Sequence, residues 1–234
     1  MASQTRIPIT TITFPEIALP TRDAHKLRGY FGTLFREHSP LLHNHLIAQA
    51  TAADSPHRFR YAYPLVQYKV LEHIPTLVGM AEGAELLAKL FLQIRELTID
   101  ETHFPVLNKH IRHEQAVIGM VDELVSYRFQ TLWMALNQTN YQDYRRYTKA
   151  EQLAQLKRVI TSQILATFRE FGLWVAPHEQ IQVQLSIDER TTRFKNQPMV
   201  AFTGGFLANI VLPNGVGLGK AVSRGFGSIQ RVEG

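Results

Sequence analysis

Gly217-Leu218-Gly219-Lys220-Ala221-Val222-Ser223-Arg224-Gly225-Phe226-Gly227 sets two Gly-apolar-Gly triplets around a short segment that carries two cations. Glycine is needed where a backbone takes positive φ or must approach another group closely, and its unobstructed N–H groups can line an anion-binding concavity. Lys220 and Arg224, four residues apart between the two corners, suit the phosphates of a polyanion better than a small apolar ligand. A glycine-rich turn ahead of a last strand, Ser228 to Val232, is the plainer reading of the glycines alone; the regular spacing and the interleaved cations favour phosphate contact.

Upstream, Met199 to Leu212 reads as a strand with a glycine interruption at Gly204-Gly205, preceded by a basic turn from Arg190 to Gln197. Ile181, Val183, Leu185 and Ile187 alternate with polar residues, a half-buried strand. Before it, Thr148 and Glu151 have capping-box spacing and open the clearest helix, with Leu153, Leu156, Ile160, Ile164, Phe168 and Phe171 in helical period and Gly172 as its C-terminal cap. Val121 to Leu136 is β-prone, and Asn137 to Tyr147 reads as a polar loop. Arg145, Arg146 and Lys149 there interleave with Tyr141, Tyr144 and Tyr147, as in single-strand binders; exposed loop tyrosines are the ordinary alternative.

The first half gives a β-rich run from Ile7 to Phe14 and a helix from about Asp23 to Glu37, whose Leu27, Tyr30, Phe31, Leu34 and Phe35 form one stripe. Arg22, Lys26 and Arg28 sit at its N-terminal end, where cations oppose the helix dipole. An anionic partner or a solvated basic face would account for them. Arg58 to Val70 and His73 to Met80 read as strands, Gly83 to Ile94 as a helix, Leu97 to Phe104 as a strand, and Asn108 to Glu114 as a basic connection. Strand, helix, strand, strand, helix, strand is a ferredoxin-like unit, and the same order recurs downstream. The expected fold is α+β, two tandem ferredoxin-like (RRM-like) βαββαβ units spanning residues 1–120 and 121–234.

A chain of 234 residues holds one substantial core or two small ones. A net charge of +5 favours an acidic partner, with nucleic acid the commonest. Zero cysteines exclude disulfides and thiolate metal sites and suit a reducing compartment. With no signal peptide and no run of about 20 apolar residues, the expected location is the cytoplasm, away from membranes.

His43-Asn44-His45 is the candidate proton-transfer pair. On an extended backbone, residues two apart point to the same side, and histidine exchanges protons near neutral pH. Among ten histidines a chance His-x-His is unremarkable, and such a pair can also offer two zinc ligands, although no carboxylate stands at recognisable ligand spacing. His110-x-x-His113 would share one helical face, where a metal site, a basic patch with Lys109 and Arg112, or a solvated linker are the readings.

The pattern Gly-h-Gly, five residues, Gly-h-Gly resembles the glycine-rich loop of the repeat-associated (RAMP) RNA-processing superfamily of CRISPR systems, and most of all the endoribonucleases that cut precursor CRISPR RNA at its repeats. The likeness extends to Phe202-Thr203-Gly204-Gly205-Phe206-Leu207-Ala208-Asn209, to Leu212-Pro213, to Lys26-Leu27-Arg28-Gly29 and to Tyr63-Pro64-Leu65-Val66-Gln67-Tyr68-Lys69. It implies the same tandem fold, and a metal-independent cleavage by 2′-hydroxyl attack with no cofactor, leaving 5′-hydroxyl and 2′,3′-cyclic phosphate ends. It also implies a catalytic histidine just beyond the first helix, where His43 and His45 stand, supported by Lys69 with Tyr63 or Tyr68. The implied partner is CRISPR repeat RNA, a hairpin or its flanks, with other CRISPR effector subunits as further candidates. Contacts are expected from Gly217, Gly219, Lys220, Arg224, Gly225, Phe226 and Gly227, then from Arg190, Arg193 and Lys195 and from Arg22, Lys26 and Arg28. A catalytically silent RNA-binding subunit is the alternative. A small-molecule enzyme on the same scaffold is a third reading, against which the basic clusters speak.

Overall fold

The computed structural model describes residues 3–35, 63–194 and 197–232. Two compact units divide the chain, Pro8–Glu114 and Gln115–Gly234 with Met1–Ile7. Both are ferredoxin-like.

In the amino-terminal unit, β1 (Gln4–Thr13) leads into α1 (Ala24–Leu34), and β2 (Val66–Leu71) and β3 (Ile74–Met80) into α2 (Glu82–Leu90). Strand β1 lies between β3 and the start of β6 (His110–Phe129), so the first strand sits between the third and the last, as the motif requires. Antiparallel registers such as Ile12↔Leu77 and Tyr68↔Leu77 put Ile12, Tyr68 and Leu77 on one face. Against them pack Leu27 and Phe31 of α1 and Leu87 and Leu90 of α2, all buried. Phe31 stacks on Tyr68 at 5.8 Å. Leu34, expected in the same stripe, is 45% exposed. Gly79 and Gly83 let strand and helix touch, since a Cβ on Gly79 would stand 2.3 Å from the Gly83 carbonyl oxygen.

Between Leu97 and Phe104 the chain makes a hairpin, β4 (Glu96–Ile99) and β5 (Thr102–Pro105), and not one strand, because Asp100 turns it in the left-handed region at φ 53°. His110 to Glu114 is strand and not linker. Residues three apart on a strand face opposite ways, so the helical face invoked for His110 and His113 does not exist; His113 Nδ1 instead meets the Thr10 hydroxyl at 2.8 Å.

The carboxy-terminal unit repeats the order with β6, α4 (Lys149–Glu170), β7 (Val183–Phe194), β8 (Gln197–Val211) and β9 (Ile229–Arg231). Again the first strand, β6, lies between the third, β8, and the last, β9. Thr148 caps α4 with both bonds of the capping box. Strand β6 bulges between Met120 and Val125 where it faces β8. Asn137 to Tyr147 is not a loop throughout. Asn137 accepts the Asn140 N–H and caps a short helix, α3 (Gln138–Tyr144). Arg190 and Arg193 lie within β7, paired with Ala201 and Pro198, and not in a turn. The second helix of the motif shrinks to a single 3-10 turn at Val222–Arg224.

Candidate nucleic-acid interface

The glycine-rich loop stands where a ferredoxin-like unit would carry its second helix, just before the last strand. Its two corners clasp each other: Gly217 bridges Ser228, and the Leu218 N–H donates to the Gly227 carbonyl at 2.9 Å. Gly227, at φ 66°, would bring a Cβ within 1.8 Å of the Leu218 oxygen. Gly219, at φ 99°, lies against Trp133 and the Met134 carbonyl, where a Cβ would be 2.8–3.0 Å from its neighbours. Gly219 and Gly227 therefore have an intramolecular reason, close approach within the unit.

That clasp fixes where the cations go. Lys220 is held through its own N–H, which donates to the Met134 carbonyl at 3.0 Å, while its side chain is exposed. Partial desolvation lowers its ammonium below the ordinary value. Arg224 ends the 3-10 turn and is half-buried, as is Phe226. Ala221, at φ 55°, opens the turn in the left-handed region, a backbone shape of the kind that can cup an anion. The indole N–H of buried Trp133 donates to Gln163 of α4 at 2.9 Å, tying the loop's floor to that helix. A shallow cleft of about 560 Å³ runs from Gly219 and Lys220 to Arg158, Ser162 and Gln163 on α4. Arg158 was missed in the sequence; its signal is its place off the apolar stripe of an otherwise regular helix.

The other candidates are dispersed. Arg190 and Arg193 are exposed, Arg190 lying 3.9 Å from Asp188. In the amino-terminal unit Arg22 is exposed and Arg28 half-buried. Lys26 is held by Asp23 at 2.9 Å and Asp100 at 2.7 Å, which raises its pKa and relieves its conflict with the helix dipole. His43, His45 and Lys195 lie outside the described residues.

Lys69, the expected support of the histidines, is a buried group. Gln67 and Lys69 alternate with Val66, Tyr68 and Val70, so they occupy the opposite face of β2 from the α1 contact, yet both are wholly buried. Among the described residues the Lys69 ammonium nitrogen has no hydrogen-bond partner, and burial pushes its pKa down to about 7. Tyr68 points the other way, into the core, where burial pushes its phenol up. Among the described residues no group of three or more His, Asp or Glu is arranged to hold a metal, and no helix is long and apolar enough to cross a membrane.

Comparison with known proteins places these features. Residues 5–117 match the Cas6b N-terminal domain and residues 119–232 the Cas6b C-terminal domain. The chain belongs to the Cas6b family. It resembles a crystal structure of Cas6b at 30% identity and a TM-score of 0.87, over 97% of this chain and all of that one. A second, a CRISPR RNA processing endoribonuclease Cas6b, matches at 28% identity and a TM-score of 0.75 with the same coverage. An uncharacterised protein of Methanocaldococcus jannaschii is 28% identical over 148 residues, 63% of this chain and 99% of its own. A type IV Cas6 crRNA endonuclease at 15% identity shares the fold, with a TM-score of 0.60. In this Cas6b chain the glycine loop lies within the segment that matches the C-terminal domain, and Lys220 and Arg224 stand between its two corners.

Proposed function

We propose that this Cas6b chain is an endoribonuclease that cuts CRISPR precursor RNA at its repeats without a metal ion. The observation that carries the reading is the match along 97% of the chain, at 28% identity, to a Cas6b that processes CRISPR RNA. One of His43 and His45 takes the proton of the 2′-hydroxyl, whose oxygen attacks the adjacent phosphorus. As the bond from phosphorus to the 5′-oxygen breaks, the other imidazole, protonated, supplies the proton that leaves with that oxygen. The products are a 2′,3′-cyclic phosphate and a 5′-hydroxyl. Lys220 and Arg224 hold repeat phosphates at the glycine loop, with Phe226 and the glycine backbone beside them, and Arg22, Arg28, Arg190, Arg193 and Lys195 add charge along the RNA. Lys69 is an amine poised to change protonation near neutral pH, which suits support of proton transfer. A chain without cysteine suits the reducing cytoplasm, where we place it.

The test is single-turnover cleavage of a repeat transcript from the same genome. His43→Ala or His45→Ala is expected to slow cutting at least about a hundredfold while RNA affinity changes little. Normal rates in both variants would remove the histidines from the mechanism. No cutting by the unaltered protein would leave an RNA-binding subunit.

A further inference from the structure

The face of the carboxy-terminal unit beside the glycine loop carries more cationic and aromatic groups than repeat cleavage has so far required. Three open clefts line it, of about 680, 430 and 560 Å³, each within the usual size of small-ligand sites. The first is bounded by Tyr141, Arg145 and Arg146 of α3 and its end, the second by Tyr147, Lys157 and Arg158. Tyr147 and Arg158 also line the third, which ends at Lys220. A tyrosine thus stands with at least one cation in every cleft, and shared residues join the second cleft to the glycine loop.

Among the described residues no ion pair engages Arg145, Arg146, Lys149, Lys157, Arg158 or Lys220. The carboxylates among the residues that line these clefts are Asp143 and Glu151, and Glu151 is occupied by the Thr148 N–H and hydroxyl. The Arg145 guanidinium lies over the Tyr141 ring at 6.0 Å, an arrangement in which a base can stack beside either group. Tyr144, by contrast, is buried and donates to Glu189 at 2.9 Å, so it belongs to the core. The platform is fixed in place: Gln152 and Gln155 of α4 donate their amide N–H groups to the Tyr144 and Asn140 carbonyls of α3, at 2.8 and 2.9 Å.

We propose that the α3–α4 face is a track for single-stranded RNA that leads away from the glycine loop. An A-form duplex offers its protein partners phosphates, 2′-hydroxyls and shape, which would leave half-buried tyrosines unused. Unpaired nucleotides offer flat faces for Tyr141 and Tyr147 and phosphates for the cations between them, the combination that binds single strands with little sequence preference. The occupant is the unpaired flank of a repeat. The track rests on the reading of the protein as an RNA-cutting enzyme, but its test reads binding separately from cutting.

The triple variant Tyr141→Ala, Arg145→Ala, Arg146→Ala changes side chains that are exposed or half-buried on one edge of the unit, and thermal melting checks that it folds. Binding is measured by anisotropy with oligo(U) of about twelve nucleotides, and with a repeat transcript carrying or lacking a single-stranded flank. The track predicts that oligo(U) and the flanked transcript bind roughly tenfold or more weakly, with a shallower salt dependence, while the unflanked transcript binds as before. A second variant, Lys157→Ala with Arg158→Ala, should show the same loss from α4 alone. Wild-type affinity for oligo(U) and flanked RNA in both variants would overturn the proposal, as would failure of the unaltered protein to bind oligo(U). If the variants lose binding as predicted but the unaltered protein cuts no repeat, the track stands and the endoribonuclease reading falls.

Discussion

Lys69 shows how a single side chain can oppose folding. Its nitrogen is buried with no hydrogen-bond partner among the described residues, and its pKa falls to about 7, below the ordinary lysine value of about 10.4. Between those two pH values the unfolded chain binds the extra proton, so stability rises with pH across that window and is flat below it. Each pKa unit is worth about 1.4 kcal/mol, so the group costs several kcal/mol at acid and neutral pH. Lys69→Met keeps the volume and should raise the melting temperature at pH 6 while abolishing the rise between about pH 7 and 10. If Lys69 supports catalysis, the same variant loses cleavage as it gains stability; a stabilised variant with unaltered cleavage would confine Lys69 to the core. Gly227 makes the opposite case. Gly227→Ala places a methyl against the Leu218 oxygen at positive φ and should cost about 2 kcal/mol or more, read by denaturant unfolding.

Helix α4 was legible from sequence because its signals are local: the Thr148–Glu151 box, the apolar period and Gly172 all lie within it or at its ends. Thr148→Ala should therefore lower stability by about 1 kcal/mol, with no change in the denaturant slope. Strand β6 was not legible at its start, because His110 to Gln115 are all exposed and polar or charged save Ile111, and no alternation marks them. Helix α3 was hidden by its Asn, Gln and Tyr content, although Asn137 three residues before Asn140 is a capping signal. The buried pair Gln67 and Lys69 defeats the rule that polar residues on a strand face water. Nor does sequence show that Ser3 is tied to Glu179, whose carboxylate accepts the Ser3 N–H and hydroxyl and the Ala176 N–H and is held down at about 2. That contribution is complete above about pH 4.5 and is lost as pH falls toward 2. In Glu179→Gln the unfolding midpoint should lose part of its acid dependence in that window.

At the scale of the whole chain, the repeated βαββαβ order could be read because both units order their strands by the same rule, with the first strand between the third and the last. The glycine loop was legible as a motif but not as a structure. Its place, in lieu of a helix and clasped over Trp133, depends on contacts between residues far apart in the chain. The cation row on α3 and α4 emerges only when the helices are side by side; alone, the place of Arg158 off the apolar stripe marks no more than a solvated face. In the proposed reaction the RNA strand is cut by its own 2′-hydroxyl, with the protein supplying grip and protons. The direct measurement is single-turnover cleavage of a repeat transcript in excess chelator, run beside a transcript with a 2′-deoxynucleotide before the scissile bond. Cutting of the first at an undiminished rate, with none of the second, is the predicted result. Cutting that stops in chelator, or that continues at the deoxy position, would contradict the account.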